Sequence, residues 1–315
     1  MSPLREALGD YVRVRRALGF VCEREVPELE RFVDFLEQAG ASRITIELAL
    51  TWARMPQGVH PYVWRKRLGT VRGFARYLAT LDPDSEIPPT DLLPGRQPRL
   101  VPHIYTPEEI VALMMAARSL PWPLRAATFE TVIGLLASTG LRLREALALD
   151  RSDVDLEHGV LLVRGAKHNQ QREVPLHPTA TAALERYADQ RDRLCPVRVT
   201  PAFFVTNHNR RLTPVNFRAA FPKLIAQAGL QGRGQRLRPR PHDVRHTFAV
   251  RTLLGWCHAG EDVDRKLPLL STYLGHYAGD RVKRAERDRV AGPAFQAARR
   301  RPPGVLATPV WMKAA

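Results

Sequence analysis

The 315-residue sequence predicts a mainly helical protein with a small antiparallel β-sheet, arranged in two domains. Apolar residues recur at helical spacing across residues 3–82, which is typical of a bundle of four or five short helices. Helical patterns resume after residue 104, and two short strand-like runs, 160–164 and 172–175, interrupt them. Between the two regions, residues 83–104 contain six prolines. Because proline blocks both helices and central strands, this segment predicts a stiff linker.

The first domain is expected to span residues 1–82 and to be entirely helical. Two of its helical stretches cover residues 44–52 and 64–81. Pro56 and Pro61 lie between these stretches, where they end one helix and allow the next to begin. The pattern therefore predicts short helices that pack on one shared apolar core.

The second domain is expected to span residues 105–280, followed by a basic, proline-containing tail at 281–315. Thr106 precedes Pro107, and Glu109 follows three residues after the threonine, which is the pattern of a helix N-terminus. Further helices are predicted at 128–138, 178–191, 214–228, 243–257 and 267–274. The polar loop between the two strand-like runs makes them a hairpin.

The charge of the chain is unusually positive and unevenly distributed. The formal net charge is +16, and residues after 104 hold 33 of the 48 basic and 19 of the 32 acidic residues. Such a balance favours a polyanionic partner such as DNA or RNA, contacted mainly by the second domain. A basic protein without a specific ligand is the alternative.

Three widely separated cysteines form neither a disulfide framework nor a zinc site. The sequence has no signal-peptide pattern and no apolar stretch of about 18 residues, which a membrane span requires. These features predict a cytoplasmic protein without a membrane partner.

The first candidate site segment is the turn around Gly140. The glycine is expected to end one helix, and Arg142 lies where the next helix begins. Glu145 follows three residues later on the same helical face. An arginine in this position could bind a phosphate, whereas the simpler alternative is a surface Arg–Glu pair.

The second candidate segment begins the helix predicted at 243–257. His242, Arg245 and His246 lie on its first turns, where the helix dipole favours an anion. A histidine that caps a helix beside a surface arginine is the alternative. An arginine-rich loop leads into this helix and supplies further candidate DNA contacts, namely Arg233, Arg236, Arg238 and Arg240.

Lys167 and His276 are two further candidate site residues, and each is predicted to lie in or beside a turn. Lys167 lies in the loop of the hairpin, from which it could donate a proton, although a solvated loop lysine is the alternative. His276 follows Gly275, which is expected to end a core helix and expose the imidazole.

Together, and in this order, these segments resemble the motifs of the tyrosine recombinase/phage integrase family. The motifs are Thr-Gly-Leu-Arg-x-x-Glu-Ala-Leu at 139–147, Lys167-x₄-Arg172-x-Val-Pro-Leu, His242-x-x-Arg245-His246 and Leu274-Gly275-His276. Four motifs in one order are specific, where any single one would be weak. The resemblance covers residues 105–280 as a catalytic domain, and the first domain is similar in position and pattern to the family's core-binding domain.

The resemblance implies two domains that clamp double-stranded DNA and cut it through a 3′-phosphotyrosine, with no metal and no cofactor. The implied roles are phosphate binding by Arg142, Arg245 and His242, general acid catalysis by Lys167, a phosphate hydrogen bond from His276, orientation by Glu145, and DNA contacts by Arg172, His246 and the arginine-rich loop. A homo- or hetero-oligomer on DNA is also implied.

The nucleophile departs from the family pattern. The family places its tyrosine about nine residues after the Leu-Gly-His histidine, where this chain has Ala285, and no tyrosine follows Tyr277. Tyr277 would need an unusual backbone path, and Tyr273 is expected to pack in the core. We therefore expect impaired cleavage, explained by a frameshift after codon 277. A non-catalytic DNA-binding partner or regulator of recombination, or a nucleophile supplied by another protomer, remain the alternatives.

Two other function classes fit the sequence less well. A sequence-specific DNA-binding protein outside this family would explain the charge but not a lysine and a histidine alongside two arginines. A metal-dependent nuclease would require clustered carboxylates, and only Glu145 lies near the candidate residues.

Overall fold

The computed structural model confirms the mainly helical fold with a small antiparallel sheet. It divides the chain into two compact units, Met1–Arg99 and Leu100–Ala315. The structure describes residues 2–95, 101–164, 171–197, 199–230 and 239–275.

The first unit contains four helices among its described residues. They are α1 (Pro3–Ala17), α2 (Glu25–Gln38), α3 (Ile46–Arg54) and α4 (Pro61–Leu78). Each contributes apolar side chains to one core, in which Phe32, Trp52 and Phe74 are almost fully buried. The predicted helical bundle thus has four members here, each of which buries one apolar face.

Part of the proline-rich segment packs against the first unit. Leu93 is buried in the core of that unit, and the amide of Glu86 donates a hydrogen bond to Ile44 O at 2.8 Å. The guanidinium of Arg72 donates to the carbonyl oxygens of Pro88 and Pro89 at 2.5 and 2.6 Å. Proline carbonyls remain acceptors although the residue lacks a donor, so these residues are held through their carbonyl groups.

The second unit contains seven helices and three strands among its described residues. They are α5 (Pro107–Arg118), α6 (Pro123–Thr139), α7 (Leu143–Ala148), β1 (Val154–Asp155), β2 (Val160–Arg164), β3 (Gln171–Pro175), α8 (Pro178–Leu194), α9 (Pro214–Gln227), α10 (Pro241–His258) and α11 (Val263–Tyr273). Helices α6 and α10 begin earlier than predicted because a proline occupies the first position of each, where its missing N–H costs nothing.

Helix α6 is the centre of the second unit. Ten of its 17 residues are buried, and it packs against α5, α8 and α10. A helix that is apolar all round is typical of such a position. Because α6 is held on several sides, the turn that follows it has a fixed position.

The sheet has the order β1-β2-β3, with both pairs antiparallel. Leu161 lies opposite Val174, and both side chains are fully buried. Alternation along β3 places Arg172 on the same face as Val174, because side chains two residues apart share a face. The predicted hairpin is therefore confirmed, and its inner face carries an arginine.

The capping pattern predicted for α5 is also present. Thr106 Oγ1 accepts from the amide of Glu109, and the Glu109 carboxylate accepts from the amide of Thr106 at 2.9 Å. This capping box satisfies two amides that the helix itself cannot bond. Among the described helices, none is both long and apolar enough to cross a bilayer.

Candidate active site

The turn between α6 and α7 positions Arg142. Gly140 ends α6 with a left-handed backbone, at φ +63°, and Arg142 is the N-cap of α7. The carboxylate of Glu145 accepts from the Arg142 amide at 2.9 Å and from its Nη1 at 2.7 Å. Arg142 and Glu145 therefore form a pair, and this pair caps a helix as well as joining two side chains.

Glu145 connects three arginines. Besides Arg142, it accepts from Arg172 Nη2 at 2.8 Å and Nη1 at 3.3 Å, and Arg245 Nη1 lies 4.0 Å from it. Only 11% of the Glu145 side chain is exposed. Three positive charges around one negative charge leave a net charge of +2, which makes this cluster suitable for an anion.

The surroundings of Glu145 keep it ionised. Burial alone would raise the pKa of Glu145, because a buried carboxylate loses its hydration. The hydrogen bonds from Arg172 and from the amide and side chain of Arg142 outweigh that effect, so the pKa lies below its usual value. The residue is therefore a carboxylate at neutral pH.

The end of α11 is bonded to the same three arginines. Gly275 has φ +66° and ends the helix, as the sequence predicts. Three successive carbonyl oxygens each accept from a different arginine. The pairs are Arg172 Nε with Tyr273 O at 3.0 Å, Arg245 Nη2 with Leu274 O at 2.5 Å and Arg142 Nη2 with Gly275 O at 3.2 Å.

Arg245 is the most buried member of this arginine cluster. Its side chain is 5% exposed, and its Nη1 donates to Gly140 O at 2.9 Å. It therefore joins the end of α6 to the end of α11, while it belongs to the second turn of α10. A guanidinium bonded in two directions has a fixed orientation, which a phosphate ligand requires.

His242 lies on the first turn of α10, as predicted. Its imidazole meets that of His246 edge to face, with ring centroids 4.8 Å apart. Burial, and then the charges of His246, Arg245 and Arg142, lower the pKa of His242 to about 4. His242 is therefore neutral at pH 7 and offers one donor and one acceptor.

Arg240 is bound to a buried carboxylate. It is the N-cap of α10, and its Nη2 donates to Asp243 Oδ1 at 2.9 Å while its amide donates to Oδ2 at 2.9 Å. Asp243 is 1% exposed. Asp243 is not among the predicted site residues, although an acidic residue at the third position of a helix is a capping signal.

Tyr105 is a second residue that the sequence analysis missed. Its amide donates to Thr247 Oγ1 at 2.9 Å, its carbonyl accepts from Arg251 Nη2 at 2.8 Å, and its hydroxyl donates to Arg240 O at 3.2 Å. Tyr105 thereby fastens the beginning of the second unit to α10. No local pattern predicts contacts between residues so far apart in the chain.

Several predicted site residues lie outside the described residues, namely Lys167, Arg233, Arg236, Arg238, His276 and Tyr277. In the part of the chain that the structure describes, no three His, Cys, Asp or Glu side chains are grouped in a way that could hold a metal ion.

Comparison with known proteins identifies relatives over most of the chain. Residues 104–254 match the phage integrase family. The chain is 42% identical over 282 residues to the putative integrase/recombinase y4rB of Sinorhizobium fredii (strain NBRC 101917 / NGR234), which covers 88% of this chain and 90% of that protein.

Solved structures show the same fold. A lambda integrase dimer bound to a COC′ core site gives a TM-score of 0.61 at 14% identity, over 88% of this chain and 96% of that one. The Tn1549 transposon integrase in complex with transposon right end DNA gives 0.59 at 20% identity, over 91% and 99%.

Proposed function

The chain belongs to the phage integrase family of tyrosine recombinases, and we propose that it binds double-stranded DNA and holds a backbone phosphate with Arg142, Arg245 and His242. The observation that carries this proposal is the cluster of three arginines around one buried carboxylate. The three guanidiniums and the one carboxylate carry a net charge of +2. A phosphodiester is an anion, and planar guanidiniums bind it with two parallel hydrogen bonds.

The three phosphate ligands differ in what they offer. Arg142 is the most exposed of the arginines, at 39% of its side chain, so it can meet a ligand from solvent. Arg245 is buried and rigid, and it would supply fixed positive charge. His242 is neutral, and it would donate a hydrogen bond from a helix N-terminus, where backbone amides also favour an anion.

The domain arrangement is part of the proposal. Residues 1–82 would act as a core-binding domain, 83–104 as the linker, 105–280 as the catalytic domain and 281–315 as a basic tail. The positive charge after residue 104 would make binding steeply dependent on salt. The chain would work as an oligomer on DNA, in the cytoplasm.

The remaining catalytic roles are also proposed from the family motifs. Lys167 would protonate the leaving 5′-oxygen, and His276 would add a hydrogen bond to a phosphate oxygen. Arg233, Arg236, Arg238 and Arg240 would contact the DNA backbone beside the site, together with His246. Glu145 would orient the arginines, in keeping with its hydrogen bonds to Arg142 and Arg172.

We infer further that DNA cleavage is impaired. Ala285 occupies the place where the family has its tyrosine, and no tyrosine follows Tyr277. Tyr273 is poorly suited to replace it: its ring stacks on Phe248 at 5.8 Å, and burial raises its pKa. A buried phenol with a raised pKa is a weak nucleophile at neutral pH.

The missing tyrosine also supports a second function, that of a non-catalytic DNA-binding partner or regulator of recombination. A protein with this function would bind DNA without cleaving it, even when an intact family member is present. A frameshifted recombinase would likewise bind and not cut. The coding DNA after codon 277 separates the two, because a frameshift leaves a tyrosine-containing apolar helix in another reading frame.

A nicked suicide substrate tests the cleavage proposal. We expect no covalent protein–DNA adduct after denaturing electrophoresis, from either the wild type or Tyr277→Phe. An adduct that the wild type forms and Tyr277→Phe does not would identify Tyr277 as the nucleophile and overturn the proposal. An adduct on a mixed-in intact relative would instead identify a nucleophile supplied by a second protomer.

A salt titration tests the binding proposal. The logarithm of the DNA association constant should fall linearly with the logarithm of salt concentration, with a slope of about −0.9 per phosphate contact. Arg142→Ala should make that slope shallower by about one contact. The control is Arg118→Ala on α5, an exposed arginine paired with Glu130; if it has the same effect, the site is not specific.

A further inference from the structure

The protein engages the Arg172 guanidinium through three hydrogen bonds. Its Nε donates to Tyr273 O, and its two terminal nitrogens donate to the two carboxylate oxygens of Glu145. Three of its five N–H groups are thus committed to protein acceptors. Its side chain is 20% exposed, about half the value for Arg142.

The backbone of β3 directs Arg172 into the protein. Arg172 pairs with Val163 of β2, and Val174, two residues on, is fully buried. Gln171 and Glu173, on the opposite face, are exposed. Arg172 therefore extends from the inner face of the hairpin toward the end of α11, and the outer face is the one that solvent reaches.

Position 275, which the Arg172 guanidinium approaches, requires glycine because of its backbone conformation and because of the space available. Gly275 has φ +66°, and a Cβ atom there would lie 3.0 Å from Arg172 Nη1 and 3.2 Å from its Cζ. A side chain at 275 would therefore push the guanidinium away from Glu145. The close approach of the Gly275 backbone to the Arg172 guanidinium therefore depends on the absence of a side chain at this position.

We infer that Arg172 is a positioning residue and not a direct DNA contact. It joins Glu145 to the end of α11, and so fixes both the orientation of Arg142 and the position of Gly275. This replaces the role as a DNA contact that the sequence motif suggests for Arg172, and it rests on the proposed phosphate site.

Arg172→Gln and Arg172→Lys together separate the two roles. Glutamine removes the charge, whereas lysine keeps it but cannot bind both Glu145 oxygens and Tyr273 O at once. If Arg172 positions the site, both variants bind DNA several-fold more weakly, with a salt slope equal to that of the wild type. A phosphate ligand would behave differently: Arg172→Lys would retain affinity, and Arg172→Gln would make the slope shallower by about 0.9.

Amide hydrogen exchange in the free protein supplies a readout that does not involve DNA. Both variants should speed exchange at Leu274 and Gly275 by about tenfold, as expected for losing a charge-assisted hydrogen bond. The matched control is Arg164→Gln, since Arg164 of the same hairpin pairs with Asp153 instead and should leave these amides unchanged.

The outcomes are distinguishable from a failure of the proposed function. If the wild type shows no salt-dependent DNA binding, the proposed function fails, and the exchange measurement still decides the role of Arg172. Unchanged exchange in Arg172→Lys, with its thermal unfolding preserved, overturns the inference. If Arg172→Gln does not fold, the lysine variant carries both measurements.

Discussion

Replacing Gly140 by alanine should damage the site through three separable effects. Gly140 adopts φ +63°, and an added Cβ would lie 2.4 Å from Phe248 Cδ1 and 3.1 Å from Leu274 Cδ2. The carbonyl of Gly140 also accepts a hydrogen bond from Arg245. The substitution therefore strains the backbone, forces a ring to move, and displaces the acceptor that orients an arginine of the cluster.

The size of each effect follows from its cause. A left-handed alanine costs about 1–2 kcal/mol, and an overpacked core costs about 1–3 kcal/mol, so Gly140→Ala should lower the free energy of unfolding by about 2–5 kcal/mol. Gly260→Ala is the matched control. Gly260 has φ +72° after α10, and no atom that the structure describes would lie within 4 Å of its Cβ. Gly260→Ala should therefore cost only the backbone strain of a left-handed alanine.

Urea unfolding of the wild type and both variants measures the difference. Gly140→Ala should be less stable than Gly260→Ala by about 1–3 kcal/mol. Of the two variants it alone should weaken DNA binding, because the carbonyl of Gly140 accepts a hydrogen bond from Arg245. Equal destabilisation by the two variants would refute the steric argument. Unchanged DNA affinity in Gly140→Ala would refute the link to Arg245.

Four other outcomes concern the site and the helix that opens the second unit. The His242 imidazole should titrate near pH 4 in NMR spectra of the free protein, because burial and the charges of His246 and Arg245 disfavour its protonated form; a pKa near 6.5 would contradict this. Since this folded pKa lies below the unfolded one, the stabilising contribution of His242 is complete above about pH 6.5 and declines toward pH 4, and His242→Gln should flatten that decline in urea unfolding. Glu145→Gln should lower stability by about 3 kcal/mol in the same assay, since it removes the buried carboxylate that pairs with Arg142 and Arg172. Thr106→Ala removes half of a capping box and should cost about 1 kcal/mol, or about 2–4 °C in the thermal midpoint.

Local rules account for the parts of the fold that the sequence predicts. The capping box at Thr106 and the glycine turns at Gly140 and Gly275 depend on residues within four positions of each other, so their patterns can be read directly. The contact between Arg142 and Glu145 is of the same kind. The β-hairpin is predictable because alternation and a polar loop occur within 16 residues.

The parts of the site that the sequence does not predict depend on contacts between residues far apart in the chain. Arg172 reaches Glu145 over 27 positions, and Tyr105 reaches Thr247 over 142. The acceptors at the end of α11 are backbone carbonyls, which every residue has, so no residue type marks them. A motif can therefore identify Arg172 as part of the site, but it cannot show that its donors are directed at the protein itself.

The charge balance of the cluster explains why its parts depend on one another. Guanidiniums grouped around one carboxylate repel one another, so three of them need compensation. Glu145 supplies one negative charge, and the carbonyl end of α11 acts as about half of another. These two groups leave a charge of about +1.5, and a phosphodiester, with one negative charge, would neutralise most of it. The carboxylate and the helix end thus hold the arginines together without saturating them.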